Sequence, residues 1–173
     1  MRLANILLGI GSLFAASIVL STIHPWGNPR RASHPDAPLL EGSDAPENVR
    51  AILAAKCGDC HSERTHYPLY ARLAPVSWML DRDIRDARSH LNLSQWHTMN
   101  DESRMSVLTR MGSVAHTAQM PPRRYVMLHP GARLSPNEQE QIYAWAKTER
   151  KRIRQESNHR TDQSANESGT GKQ

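Results

Sequence analysis

Hydrophobic positions divide this chain into segments of different kinds. From Leu3 to Ile23 there is no charge. As a helix this run reaches ~31 Å, close to the hydrocarbon thickness of a bilayer. Its place behind Arg2 also suits a secretory signal, for which Ala15-Ala16-Ser17 is a small-residue cleavage site. The apolar run goes on through Ile18, Val19, Leu20 and Ile23, which favours an anchor that is kept. Both readings export the domain. Residues 24–46 are rich in Pro, Gly, Ser and Asp and predict irregular chain, a linker or a strap across the domain.

Helical spacing returns at Glu47–Lys56, with Val49, Ile52 and Leu53 on one side. Pro68 and Pro75 then predict a loop from Tyr67 to Trp78 with one short turn at most. Val76, Leu80, Ile84, Ala87 and Leu91 recur at helical spacing, with Asp81, Arg82, Asp83, Arg85 and Asp86 expected on the other side. Asn92-Leu93-Ser94 ends that helix. A further helix is predicted from Asp101 to about Ala115, burying Met105, Leu108 and Met111 or Val114. It stops before Met120-Pro121-Pro122, which the two prolines make extended. The last helix has clear start signals: Ser135 at the N-cap, Pro136 at the first position and Glu138 completing a capping box. Ile142, Trp145 and Ala146 face inward, and the basic residues of 147–154 lie near its C-terminal end, where the helix dipole favours them. Beyond Gln155 the only hydrophobic residue is Ala165, so residues 155–173 are expected to form a disordered polar tail. With no strand of useful length and no repeat, the pattern predicts an all-α domain over 47–154, behind an anchor or signal at 1–23 and the strap at 24–46.

One motif carries chemistry. Cys57-Gly58-Asp59-Cys60-His61 is C-x-x-C-H. On one helical turn, residues three and four apart share a face. Two thiols so placed can each add to a haem vinyl group while the imidazole binds the iron, which is c-type haem attachment. A thioredoxin-like redox pair would need a βαβ context, which is missing. Half of a zinc site would need a second Cys/His pair, and the chain has only 2 cysteines.

Composition agrees. A chain of 173 residues suggests one domain once both ends are set aside. The lone Phe beside four Trp and four Tyr suits a small core partly filled by a haem. The net charge of +5 is spread along the chain, densest at Arg30-Arg31, Arg123-Arg124 and Arg150–Arg154. No nucleic-acid motif accompanies these charges; a redox partner with an acidic docking surface is the better use for them.

From His24 to about Arg150 the chain resembles the haem-binding domain family of small monohaem c-type cytochromes. The matching stretches are His24-Pro25-Trp26-Gly27-Asn28, the C-x-x-C-H motif with Ser62, Tyr67-Pro68-Leu69-Tyr70, Ala74-Pro75-Val76-Ser77-Trp78, Asn92-Leu93-Ser94-Gln95-Trp96, and Met120-Pro121-Pro122 with Tyr125, His129 and Leu134-Ser135. Ala87 before Arg88 departs from the family pattern, which usually has Gly there. The resemblance implies a cytochrome c-like bundle of about four to five helices around one covalent haem c, at the periplasmic side of the bacterial cytoplasmic membrane. It does not identify a reaction.

His61 takes one axial position on the iron. Met120, in an extended segment between two helices, is the best candidate for the other, and the Met-Pro of small cytochromes c points the same way. Its alternative is core filling, as for Met105 and Met111. Met99 and Met127 lack special context, and His116 and His129 are the imidazole rivals. Similarity to cytochromes c suggests the Pro75 carbonyl as the partner of the second ring nitrogen of His61. Trp78, Arg88, Trp96 and Tyr125 are candidates to bond the haem propionates, with core packing, or a solvated helix face for Arg88, as the alternative. A His/Met iron predicts an electron carrier rather than an enzyme; an open or weakly held sixth site would instead predict a ligand or gas sensor or a peroxidase-like enzyme. A third reading is an assembly subunit in which haem mainly holds the fold.

Overall fold

The computed structural model describes residues 2–170, side chains of Ala32, Ala165 and 167–170 excepted. It is all-α, with seven helices and no strand among the described residues: α1 (Arg2–Leu20), α2 (Glu47–Lys56), α3 (Gly58–His61), α4 (Val76–His90), α5 (Asp101–His116), α6 (Arg123–Leu128) and α7 (Pro136–Thr170). Short 3-10 turns at Pro29–Ala32, Leu69–Arg72, Leu93–Thr98 and Pro130–Ala132 fill the loops.

The chain divides into two compact units. The first joins residues up to Ala37 with Asp59–Asn92; the second joins Pro38–Gly58 with everything from Leu93 on. In the first, α1 is apolar and buries none of its residues. The buried face of α4 is Ser77, Asp81 and Ile84. The expected stripe is therefore rotated: Val76 is exposed and Asp81 is buried. The reason is a partner that local spacing does not reveal, since Asp81 Oδ2 lies 2.6 Å from His24 Nδ1.

In the second unit α5 packs along α7, and α2 also packs against α7. Leu53, Leu108, Ile142, Ile153 and Trp96 are all fully buried; each such side chain contributes ~1.5–3 kcal/mol on removal from water. Gly112 of α5 faces α7, where a Cβ would make ordinary contact with the Ala146 Cβ at 3.4 Å. α5 starts at Asp101 as expected, and the Asn100 side chain caps it by accepting from the Ser103 N–H at 2.8 Å. The capping box forms as well: Ser135 N–H donates to Glu138 Oε2 at 2.7 Å, and Glu138 N–H to Ser135 Oγ at 3.3 Å. The strap over residues 38–46 is fastened by Arg50, whose guanidinium donates to the carbonyls of Leu39, Leu40, Ser43 and Ala45.

Two elements differ from expectation. α6 starts directly after Pro122, which serves as its N-cap. And α7 does not stop near Gln155 but runs to Thr170. Arg152 reaches Glu156 one turn on, at 2.6 Å, and Arg160 pairs with Asp101 at the start of α5. These pairs support helix where no apolar side chain does.

Candidate functional site

The C-x-x-C-H motif is placed by the end of α2. Cys57 caps that helix, its N–H donating to the Leu53 carbonyl at 3.0 Å, and α3 begins at the next residue. Cys60 and His61 lie in α3, while Cys57, with φ −122° and ψ −24°, is a cap between the two helices. Gly58 is buried and both cysteines are half-buried. The boundary between the two units falls inside the motif, after Gly58. Downstream, Thr65 Oγ1 donates to the Asp59 carbonyl at 2.6 Å and His66 N–H to Asp59 Oδ1 at 3.0 Å, folding the next loop back on the motif.

His61 is oriented by the main chain. Its Nδ1 lies 3.1 Å from the Leu91 carbonyl. A carbonyl only accepts, so Nδ1 carries the proton and the lone pair is left on Nε2. Burial holds the imidazole below its ordinary pKa; the carbonyls of Leu91 and Ala87 pull upward, and His90 adds a smaller push down. A neutral ring bonded to protein through one nitrogen is the form in which histidine ligates a metal through the other. The Pro75 carbonyl, the expected partner, accepts from the Trp78 and Met79 N–H groups in the first turn of α4, and the ring of His61 lies against the Leu91 carbonyl just past α4.

Two further candidates in this unit have protein partners. Trp78 Nε1 donates to the carbonyls of Ile23 at 2.8 Å and Leu20 at 3.2 Å. Arg88 donates to the Ser62 carbonyl at 2.9 Å, the Pro29 carbonyl at 3.0 Å, Thr65 Oγ1 at 3.0 Å and Ser33 Oγ at 3.4 Å. Its guanidinium thus joins the segment just after His61 to the 3-10 turn of the strap.

The remaining candidates lie in the second unit. Trp96 is wholly buried, its ring centroid 6.5 Å from that of Trp145, and both indole N–H groups lack a hydrogen-bond partner. Buried donors left bare are uncommon and ask for an acceptor. Tyr125 is half-buried and stacks on His129 at 4.4 Å. Met120 is 40% exposed, its N–H donating to the Val114 carbonyl at 3.3 Å. Met111 is buried in the core and Met127 stands 81% exposed; Met99 and Met105 are half-buried. His116 is exposed, 3.9 Å from Glu140 and 4.9 Å from the Tyr143 ring.

Sequence reasoning missed the His24–Asp81 pair, although the positions of Ser77, Asp81 and Ile84, four and three apart, share a helix face and could have disclosed it. These residues suit a haem. In the first unit the His61 imidazole, bonded to protein through Nδ1, suits an iron, and in the second the bare indole N–H groups of Trp96 and Trp145 suit an anionic oxygen. Comparisons with curated proteins and with solved structures gave no match. Residues 15–148, most of the chain, match a family described as a haem-binding domain. From that match, and from the imidazole held ready within C-x-x-C-H, the chain belongs to the haem-binding domain family.

Proposed function

We propose that the protein is a monohaem c-type cytochrome that carries electrons at the periplasmic side of the bacterial cytoplasmic membrane, held there by α1. Cys57 and Cys60 form the thioethers, and His61 and Met120 are the axial ligands. The observation that carries this reading is the His61 ring, neutral and pinned through Nδ1 within a C-x-x-C-H turn. Haem iron supplies a one-electron couple; with both axial sites held by protein, little need rearrange when its charge changes, and a thioether raises the potential. Trp96 donates its indole N–H to a propionate. The partner is a redox protein with an acidic surface. Arg123, Arg124, Met127 and Leu128 are all exposed on α6, close in sequence to Met120, and offer charge and apolar area for such docking.

Two measurements test the reading. Acid–acetone extraction should leave the colour on the protein, and Cys57→Ala or Cys60→Ala should lower the yield of holoprotein; colour that extracts fully removes covalent attachment. Met120→Ala should abolish the near-infrared sulfur-to-iron band, lower the midpoint potential and open the iron to carbon monoxide. An unchanged spectrum and potential would assign the site to another residue, with His129 and His116 next to test. A wild-type protein already five-coordinate and high-spin would replace the carrier with a sensor or enzyme.

A further inference from the structure

The end of α1 is built into the first unit. Ser17 Oγ donates to the Ala74 carbonyl at 2.7 Å, and the Ala74 N–H donates back to the Ser17 carbonyl at 3.2 Å. One step on, Trp78 Nε1 donates to the carbonyls of Leu20 and Ile23. Ser17 lies three residues inside the helix end at Leu20, which is ~4.5 Å along the axis. If α1 spans the bilayer, Ala74 shares the depth of Ser17, at the edge of the hydrocarbon.

The chain around Ala74 suits that depth. From Leu73 to Leu80 there is no charged residue. The exposed members of this stretch are Pro75, Val76 and Met79, all apolar, with Val76 41% and Met79 58% exposed. Leu69, in the 3-10 turn packed against α4, is 81% exposed. Exposed Arg72 and Arg82 bracket the stretch, and Trp78 is half-exposed. Apolar side chains with an indole among them and long cationic side chains at the margin form the pattern of an interfacial surface.

We infer that the first unit is seated in the membrane interface, with Leu69, Val76 and Met79 covered by lipid beside α1, rather than swinging on a tether. This rests on the reading of α1 as a retained membrane span. The partner is the bilayer itself, and its continuity with α1 is what selects it over a protein.

The test uses the full haem-loaded chain in nanodiscs of phosphatidylcholine carrying an acyl-chain diazirine, with adducts mapped by mass spectrometry after irradiation. Adducts are expected both in α1 and in residues 69–79. The double substitution Val76→Asp, Met79→Asp should reduce those at 69–79 several-fold and leave α1 labelled. A second measurement needs no variant: under hydroxyl radicals in the same nanodiscs, Met79 should oxidise several-fold more slowly than the exposed Met127. Labelled α1 with bare 69–79, adducts unmoved by the double substitution, or equal oxidation of the two methionines overturns the seating and leaves the anchor standing. An unlabelled α1 overturns the anchor itself.

Discussion

Arg88 offers a sharp test of what holds the segment after His61 in place. Its guanidinium donates to two main-chain carbonyls, Ser62 and Pro29, and to two hydroxyls, Thr65 and Ser33. Ser62 comes directly after His61 and is wholly buried. Arg88→Met keeps the apolar stem and removes every donor. A hydrogen bond from a charged donor contributes ~1.5–3 kcal/mol, and the two buried carbonyls are the ones left bare. Arg88 is half-exposed, so water recovers part of that loss, and the bonds share one side chain and do not add fully. The expected destabilisation is about 3 kcal/mol, on the order of a 1.5 M fall in urea midpoint at an ordinary denaturant slope. The assay is urea unfolding of the haem-loaded protein in detergent, read by the Soret band. Arg88→Lys should recover only a fraction, because one ammonium cannot span the Ser62 and Pro29 carbonyls. Arg88→Met with unchanged unfolding but an altered midpoint potential would refute this account and return Arg88 to a haem propionate.

The capping box makes a pH-dependent prediction. The Ser135 N–H, with smaller help from its hydroxyl and from Lys56, holds the Glu138 carboxyl below its ordinary value of 4.5. A depressed carboxyl stabilises the fold fully above 4.5 and loses that contribution as pH falls through its lowered value. Glu138→Gln removes the charge that the Ser135 N–H stabilises and should cost under ~1 kcal/mol at neutral pH, and less under acid conditions in thermal unfolding; equal losses at both sink the idea. Trp96→Phe removes a buried N–H that has no protein partner. It should leave apoprotein stability within ~1 kcal/mol and shift the midpoint potential of the haem-loaded form, whereas an unmoved potential would leave that N–H without a role.

Local signals were enough wherever neighbours in sequence decide the structure. The C-x-x-C-H turn, the start of α5 behind Asn100 and the reciprocal Ser135–Glu138 bonds all depend on residues within four positions of each other. What local spacing does not carry are pairings between distant residues. Asp81 reads as surface charge until His24, 57 positions away, draws it inward and leaves Val76 outside. The continuation of α7 reads as disordered until Arg160 meets Asp101. Pro75 reads as the partner of His61 by similarity, yet His61 reaches 30 residues along the chain to Leu91. α6 was hidden for a different reason: prolines that forbid a helix through themselves also make good starts for one just after.

α4 has one more consequence. Near its first residue, Trp78 is fastened to the end of α1; just past its last, the Leu91 carbonyl fixes the ring of His61. Its 15 residues make a strut of ~22 Å. The helix therefore fixes the spacing between the end of α1 and the His61 ring within the first unit. Lengthening α4 by one full turn would move the Leu91 carbonyl, and the His61 ring bonded to it, ~5 Å away from the end of α1 along that axis.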